Sequence, residues 1–332
     1  MKLLIVSTSV VPIGENRYGG VELMAATLAG ALKRAGHSVD IAAPIGSEPP
    51  QGVKLLPTVK LPQEQDRDDI AMRRLWFEQA GPYDAIHDFS HGHALGVDEA
   101  YASEKLPACF MVWDPVVTRY NKSRFNICCV SEWQAERFRH MYSQEAKVFP
   151  SWGYVDGRKY HPVNEPLRER FLFLGKLTPN KGAMEAISLA KACGAKLDVV
   201  GGLLATDDMR YLEDLRKHES DDISIRFNVT EDEKIRLIQD AVAILYPLQF
   251  DEAHNLVAIE AAQCHTPMIS YSRGALPSLG ITRCVGSVPE FLEAMKTVNQ
   301  WFQPSPVDWS VDSRIPKYEA FYREIAEGMR WA

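Results

Sequence analysis

The sequence predicts an α/β protein with two doubly wound, Rossmann-like domains. Strand-like apolar runs alternate with segments of helical period from residue 2 to residue 150, and a second alternation begins at residue 170. The chain has 332 residues, which is longer than a domain with a single hydrophobic core usually is. Between the blocks lies a polar, proline-containing stretch, "GRKYHPVNEPLR" (157–168), which is typical of a linker. We therefore expect domains at 1–160 and 161–310, followed by a segment at 311–332.

The first domain opens with "KLLIVS" (2–7), an apolar run typical of a strand buried on both faces. A strand is favoured over a signal peptide because this N-terminal segment has a single lysine, a short apolar run and no cleavage pattern. The loop "PIGENRYGG" follows, and apolar residues of helical spacing then begin at Val21. A second strand is predicted at 38–43, with one short strand in the proline-rich stretch 44–66. The remaining elements predicted in this domain are strands at 83–87, 107–113, 125–131 and 146–150, and a helix near 132–141.

The second domain repeats the alternation of strands and helices. Strands are predicted at 170–175, 196–201, 223–228, 242–247 and 267–272, and helices at 181–193, 207–218, 231–241 and near 288–300. Apolar and aromatic residues of the tail recur at helical spacing, which predicts a last helix: Ile315, Tyr318, Phe321, Tyr322 and Ile325.

Composition excludes some classes of function. The formal net charge is −7, which argues against a nucleic-acid-binding protein because such proteins carry a basic surface. No stretch reaches the roughly 20 apolar residues of a membrane span, so we expect no integral membrane segment. The six cysteines are scattered and form no Cys-x-x-Cys pair, which predicts reduced thiols, a cytoplasmic location and no zinc site.

The stretch "DEAHNLVAIEAAQC" (251–264) holds two glutamates, Glu252 and Glu260, eight positions apart. On one helix they would lie about 80° apart and share no face. We therefore place Glu252 in a loop and begin the helix near Asn255 or Leu256. The free N–H groups of residues 254–257 would then form a phosphate site at the helix N-terminus. Glu260, further along, offers two acceptor oxygens that suit a cis-diol such as ribose.

"EAHNLVAIEAAQCHTPMIS" resembles the acidic motif of the family 4 retaining glycosyltransferases, which have the GT-B fold. Other segments extend the resemblance along nearly the whole chain. "YGGVELMAATLAGALKRAGHSVDIAAP" is similar to the family's N-terminal Gly-Gly loop and first helix, and "ICCVSEWQAERF" to its strand-to-helix turn. "FLGKLTPNKG" resembles the element that holds the diphosphate, and "KYEAFYREI" the closing helix, which returns to the first domain. The resemblance implies two Rossmann-like domains that face a central cleft.

The resemblance also implies a role for each matching residue. Glu260 would bind the nucleotide ribose, and Glu252 would contact the donor sugar near the reacting carbon. The remaining donor-binding residues would be Gly19, Gly20, Lys176, Lys181, His254, Asn255, Leu256 and Val257, with the two lysines neutralising the diphosphate. No metal ion or other cofactor is expected, so the lysines and the helix end must stabilise the charge. Glu252, Lys181 and His87 are the predicted catalytic residues.

Several positions depart from the family pattern. Lys176 stands where arginine is usual, which keeps the charge but loses the bidentate fork. Asn255 replaces glycine, and we expect it to adopt the left-handed backbone that asparagine tolerates. His254 replaces a common phenylalanine. Trp113 falls where many members carry a sugar-binding histidine, so either the sugar contacts are rearranged, with Asp114 or His87 substituting, or activity is reduced. Trp113 and Asp114 are the residues predicted to contact the acceptor or the sugar.

The histidines of "HDFSHGH" (87–93) have three interpretations. They contact substrate, lie in an ordinary loop, or bind a metal; the sequence gives no carboxylate–histidine geometry for the last.

The function that these observations predict is a metal-independent, retaining transfer of a hexose from a UDP-, GDP- or ADP-sugar to a small hydroxyl acceptor bound mainly by the first domain. Lys176 and Trp113 keep open a nucleotide-sugar-binding protein without transferase activity. An NAD-dependent dehydrogenase is disfavoured, because the first strand-to-helix loop lacks Gly-x-Gly-x-x-Gly.

Overall fold

The computed structural model describes residues 1–8, 11–14, 19–58, 83–90, 107–112, 126–142, 147–148, 153–202 and 208–328. The chain divides into two compact units. One consists of Met1–Tyr154 and Val311–Ala332, and the other of Val155–Ser310. The stretch 155–160, which the sequence analysis assigns to the first domain, lies in the second unit.

The described residues of the first unit form a parallel sheet of seven strands. Its strands are β1 (Lys2–Val6), β2 (Ser38–Pro44), β3 (Lys54–Thr58), β4 (Ala85–Asp88), β5 (Ala108–Val112), β6 (Ile127–Cys129) and β7 (Lys147–Val148), in the spatial order β3-β2-β1-β4-β5-β6-β7. Helices α1 (Gly20–Arg34) and α2 (Glu132–Tyr142) accompany them. This is the strand order of a doubly wound fold, in which the chain reverses direction across the sheet between β1 and β4.

The second unit has a parallel sheet of six strands with the same topology. Its strands are β8 (Arg170–Leu174), β9 (Leu197–Gly201), β10 (Ile223–Phe227), β11 (Ala241–Tyr246), β12 (Met268–Tyr271) and β13 (Arg283–Val285), in the order β10-β9-β8-β11-β12-β13. The helices are α3 (Ala183–Cys193), α4 (Met209–Arg216), α5 (Glu231–Asp240), α6 (Leu256–Gln263), α7 (Leu276–Leu279), α8 (Val288–Lys296) and α9 (Val298–Trp301).

The last helix, α10 (Ile315–Ala326), belongs to the first unit. Its apolar stripe is buried, and the hydroxyl of Tyr322 lies 2.8 Å from Nδ1 of His87 on β4. In the first half of α10, Oε1 of Glu319 lies 3.0 Å from Nε2 of His37, which also belongs to the first unit. Aromatic burial therefore attaches the C-terminal helix to the sheet that the N-terminal residues form.

The predicted α/β fold with two doubly wound domains is confirmed. The sequence analysis missed the short elements β13 and α7, which are three and four residues long and too short to produce a periodic pattern. All six cysteines are free thiols. Within the described part of the chain, no helix is both long and apolar enough to cross a bilayer.

Candidate functional site

The predicted site residues of the second unit lie where the carboxyl ends of β8 and β11 meet. These strands are neighbours although three helices and two strands separate them in the chain, so they mark the topological switch point. Ligands of doubly wound sheets bind at this position. The loops that follow the two strands are joined by a backbone hydrogen bond of 2.9 Å from Gln249 N–H to Asn180 C=O.

The loop after β8 ends in a short 3₁₀ turn, Pro179–Lys181, and a left-handed glycine. Gly182 has φ of +87°, and a Cβ there would overlap the carbonyl oxygen of Pro247 in the loop after β11. Only glycine fits both the backbone angle and this close approach. The turn places Lys181 beside the second loop, with its Nζ 5.0 Å from the centre of the Phe250 ring.

Glu252 is held by groups from both sides of this switch point. One carboxylate oxygen forms an ion pair with Lys181 Nζ, and the other accepts a hydrogen bond of 2.7 Å from the side-chain amide of Asn255. Both side chains of the ion pair are largely buried, with 18% of Lys181 and 15% of Glu252 exposed. The two residues that the sequence analysis expected on different parts of the donor contact one another here.

A third loop, which follows β12, contacts the backbone of Glu252. The backbone N–H of Ala275 donates to the carbonyl of Glu252 at 2.9 Å. Gly274 has φ of +51°, and a Cβ there would overlap the backbone of Glu252. The backbone of Glu252 is therefore fixed by the loop that follows β12, while its side chain is oriented by Lys181 and Asn255.

Helix α6 begins at Leu256, as predicted, with Asn255 as its N-cap. The side-chain oxygen of Asn255 accepts from the N–H of Ala258 at 2.8 Å. The expectation of a left-handed backbone was wrong: φ of Asn255 is −130°, because a capping residue is extended. In the described part of the chain, the N–H groups of Asn255, Leu256 and Val257 have no hydrogen-bond acceptor. These three N–H groups therefore lie unpaired at the positive end of the helix dipole, the position at which the sequence analysis predicts a phosphate site.

Glu260 lies one turn further along α6 and is only 2% exposed. Its Oε1 accepts from the hydroxyl of Tyr160 at 3.0 Å and from Nζ of Lys234 on α5 at 2.8 Å. These bonds use both lone pairs of Oε1. The expectation that both oxygens are available to a diol is therefore corrected: Oε2 alone has no hydrogen-bond partner among the described residues.

The sequence analysis missed Lys234 and Tyr160. Lys234 is one of several charged residues in a helix of ordinary amphipathic pattern, and Tyr160 lies in the stretch taken as a linker. Burial beside the carboxylate raises the pKa of the Tyr160 hydroxyl well above its ordinary value. Neither residue has a local sequence signal, because each reaches Glu260 only through the packing of the second unit.

His254 precedes the cap, and both of its ring nitrogens are buried without a hydrogen-bond partner among the described residues. Burial lowers the pKa of His254 to about 4, so the ring is neutral at pH 7. Lys176, in contrast, lies exposed in the loop after β8. The structure brings Lys181, Glu252, His254 and Asn255 together, with Leu256 and Val257 at the helix start.

Three of the site residues predicted in the first unit lie in the described part of the chain: Gly19, Gly20 and His87. Gly19 precedes α1, and a Cβ on it would overlap the carboxylate of Glu22, which accepts a hydrogen bond from Thr8 Oγ1. Gly20 is the exposed first residue of α1. His87 is 1% exposed within β4 and contacts Tyr322. Burial lowers the pKa of His87 to about 3. This is the position of a core residue, so we do not retain a catalytic role for His87.

Trp113 and Asp114 lie outside the described residues, as do His91 and His93 of the histidine-containing segment. In the described part of the chain, no three His, Cys, Asp or Glu side chains are arranged to hold a metal ion. A cavity of about 270 Å³ in the second unit is lined by Thr266, Arg283 and Trp301, among other residues. It includes none of the predicted site residues.

Residues 168–299 match the family model described as "Glycosyl transferases group 1", and this range contains all the site residues of the second unit except Tyr160. No curated protein sequence matches the chain.

Solved structures match the whole fold. AviGT4, a glycosyltransferase involved in avilamycin A biosynthesis, is 20% identical with a TM-score of 0.75, and the match covers 100% of both chains. HepE from Anabaena in complex with UDP-glucose is 15% identical with a TM-score of 0.69, covering 98% of each chain. The catalytic domain of starch synthase IV from Arabidopsis thaliana, bound to ADP and acarbose, is 12% identical with a TM-score of 0.70, covering 98% of this chain and 99% of that one. The chain therefore has the GT-B fold, and its residues 168–299 are similar to the group 1 glycosyltransferases.

Proposed function

We propose that this protein is a retaining glycosyltransferase that moves a hexose from a nucleoside diphosphate sugar to a small hydroxyl acceptor without a metal ion. One observation carries the proposal. At the switch point of the second sheet, the fold brings a cation from one loop to a carboxylate that precedes a helix start, and three backbone N–H groups at that start have no acceptor among the described residues. This set matches the parts of such a donor: an anionic diphosphate and a sugar with several hydroxyls.

The diphosphate would bind at the start of α6. The amides of Asn255, Leu256 and Val257 and the positive end of the helix dipole favour an anion there. Lys181 supplies a full positive charge in a largely buried position, where charge interactions are weakly screened. Lys176 lies exposed on the same loop and would add a second charge once the donor is bound.

Glu252 would bind the sugar rather than attack it. Its carboxylate is already oriented by Lys181 and Asn255, and an oriented acceptor loses little entropy when a hydroxyl binds. As the bond between the anomeric carbon and the phosphate oxygen breaks, positive charge develops on the sugar ring, and a nearby carboxylate stabilises it. The acceptor oxygen would then bond to the same face of the sugar while the departing phosphate takes its proton.

The nucleotide classes are supported by what similar structures contain. HepE is described in complex with UDP-glucose and with UDP, and starch synthase IV with ADP. In this chain, Glu260 would face the ribose through Oε2, since Oε1 is saturated by Tyr160 and Lys234.

The test is a panel of UDP-, GDP- and ADP-glucose incubated with the purified protein and its Glu252→Ala variant. We expect one donor to be hydrolysed slowly by the wild type, with the first-formed glucose keeping the donor's anomeric configuration by proton NMR. The variant should melt within a few degrees of the wild type and hydrolyse no donor above background. Equal turnover by the variant would contradict the proposed role of Glu252. A first-formed glucose of inverted anomeric configuration would contradict the retaining mechanism.

A second function remains a candidate: a nucleotide-sugar-binding protein that transfers nothing. Lys176 and Trp113, which stand where the family usually has arginine and histidine, favour it. The same panel separates the two functions, because a donor that raises the melting temperature without being consumed identifies a binder.

A further inference from the structure

The cavity of about 270 Å³ in the second unit is separate from the candidate donor site around Lys181 and Glu252. Thr266 and Thr282 line the cavity and come just before strands β12 and β13, so the cavity lies at the amino-terminal ends of these strands. The candidate donor site lies at the carboxyl ends of β8 and β11, which run parallel to them. Helix α6 connects the two places, because it begins at the candidate donor site and Ala262 in its last turn lines the cavity. A ligand in the cavity would therefore occupy a second site.

Of the described residues that line the cavity, Arg283 alone is charged. Its side chain is exposed and forms no hydrogen bond or ion pair within the part of the chain that the structure describes. The pKa of the Glu290 carboxyl is lowered first by the N–H of Gly286 and the hydroxyl of Ser287, and less by Arg283. An arginine presents its N–H donors in a planar fork that fits a phosphate or a carboxylate. The cavity therefore suits a ligand with one anionic group.

Two aromatic side chains give the cavity an apolar wall. Trp301 and Phe302 line it, with their ring centres 6.2 Å apart and their planes at 88°. The Nε1–H group of Trp301 donates to the carbonyl of Ala294 at 2.9 Å, which holds the indole ring in place, and both aromatic residues are only half-buried. A ring that is already fixed binds the apolar face of a ligand with little loss of side-chain entropy.

Uncharged polar side chains complete the lining. The hydroxyl of Thr282 is buried and has no hydrogen-bond partner among the described residues. A rotation about χ1 would exchange this hydroxyl with the methyl group of the same side chain, so that it could bond to a ligand. The amide of Gln303 is exposed and likewise makes no hydrogen bond to the described residues. Hydroxyl and amide groups are both donors and acceptors, as the hydroxyls of a sugar require.

A sugar ring combines the features that this lining would recognise, because it has C–H groups on its faces and hydroxyls around its edge. A volume of about 270 Å³ is near the lower end of the range for ligand pockets, roughly 300–1,000 Å³, and suits one such ring. We propose that the cavity is a second binding site, for a monosaccharide that carries one phosphate or carboxylate group. This inference is independent of the proposed function, since none of the lining residues belongs to the candidate donor site.

A simpler interpretation is that the cavity holds only water. A water molecule takes up about 30 Å³, so several would fit and could satisfy the hydroxyl of Thr282. A cavity of this kind has no preference for a sugar ring, and Arg283 would then have no effect on the binding of any sugar. Binding that requires both the ring and the charge distinguishes the two interpretations.

The experiment titrates the full chain by calorimetry with glucose 6-phosphate, glucuronate, glucose and inorganic phosphate. We expect one or both of the anionic sugars to bind at least about tenfold more tightly than either glucose or inorganic phosphate, as a hydrogen-bonded charge adds to the contacts of the ring. Tighter binding of glucose 6-phosphate would identify a phosphate as the anionic group, and tighter binding of glucuronate would identify a carboxylate.

Arg283→Gln tests whether the ligand lies in this cavity. The variant should melt within a few degrees of the wild type, because Arg283 is exposed and has no ion pair among the described residues. Its affinity for the anionic sugar should fall about tenfold or more, to that of glucose. Arg210→Gln is the matched control, since Arg210 is an exposed arginine on α4 that does not line the cavity, and it should leave the affinity unchanged.

Four results would overturn the proposal. If neither anionic sugar binds the wild type, the cavity is not a site for this class of ligand. Equal binding of inorganic phosphate and the anionic sugars would reduce the cavity to a simple anion site, and equal binding of glucose would exclude a role for the charge. An unchanged Kd in Arg283→Gln would place the ligand elsewhere on the protein.

Discussion

The ammonium group of Lys181 forms an ion pair with the carboxylate of Glu252, across the two loops that follow β8 and β11. Each group has the right charge for a different part of a nucleoside diphosphate sugar. In the absence of a donor each orients the other, and Asn255 holds the second oxygen of Glu252. A bound diphosphate would share Lys181 with Glu252, so this ion pair would connect the helix start proposed to bind the diphosphate with the carboxylate proposed to bind the sugar.

Lys181→Met should therefore reduce turnover, and it should also lower stability because the largely buried Glu252 loses its cation. Without the ammonium group, the charge of the leaving diphosphate is stabilised only by the helix end, and we expect kcat for donor hydrolysis to fall about 10²- to 10³-fold. Lys191→Met on α3 is the matched control, since Lys191 is exposed and contacts His218. Similar rates for the two variants in a donor-hydrolysis assay would exclude a charge role for Lys181.

Asn255 offers a test of the helix start. Asn255→Ala removes both the cap of α6 and the hydrogen bond to Glu252, and should cost about 1 kcal/mol of unfolding free energy. Asn255→Gly should cost only a few tenths of a kcal/mol as a cap, because glycine is tolerated there. Urea unfolding of both variants measures this difference. Equal stability of the alanine and wild-type proteins would show that the observed cap contributes nothing.

His254→Phe should increase stability, and more so in acid. The ring nitrogens are buried without partners among the described residues, and removing such a group restores about 1–3 kcal/mol. Because burial lowers the pKa to about 4, the unfolded chain, with a histidine pKa near 6.5, binds more protons than the folded one between these values. Stability from the neutral ring is full above pH 6.5 and is lost as the pH falls toward 4.

The measurement is urea unfolding of wild type and His254→Phe at pH 7.5 and pH 5. The advantage of the variant should be larger at pH 5, and the titration of His87 cancels because both proteins contain it. An advantage that is the same at both pH values would mean that His254 titrates normally in the folded state.

Gly182→Ala tests the close approach of the two loops. The new Cβ would overlap the carbonyl oxygen of Pro247 and sit on a left-handed backbone, and we expect a loss of about 2–5 kcal/mol. Gly194→Ala is the control, because Gly194 also has a positive φ but open space around its Cβ position. That variant should lose only about 1–2 kcal/mol. Equal urea midpoints for the two variants would contradict the predicted overlap.

Local patterns were sufficient for the order of the elements and for the start of α6. Strand and helix periods depend on neighbouring residues, so the two alternating blocks predicted both Rossmann-like sheets. The spacing of Glu252 and Glu260 excluded a shared helix face and placed a helix start between them, and the helix does begin at Leu256. The family resemblance then supplied roles for residues such as Lys181 that are ordinary in isolation.

Tertiary structure alone decided which side chains meet. Glu252 pairs with Lys181, which is 71 positions away, and Glu260 is bound by Tyr160, which is 100 positions away. The same packing placed His87, predicted as catalytic, inside an aromatic core. These contacts depend on the strand order of each sheet, which brings β8 next to β11 and the C-terminal helix onto β4. Sequence periodicity reports the local backbone and the buried face of each element, but it carries no information about which loops become neighbours once the sheet is assembled.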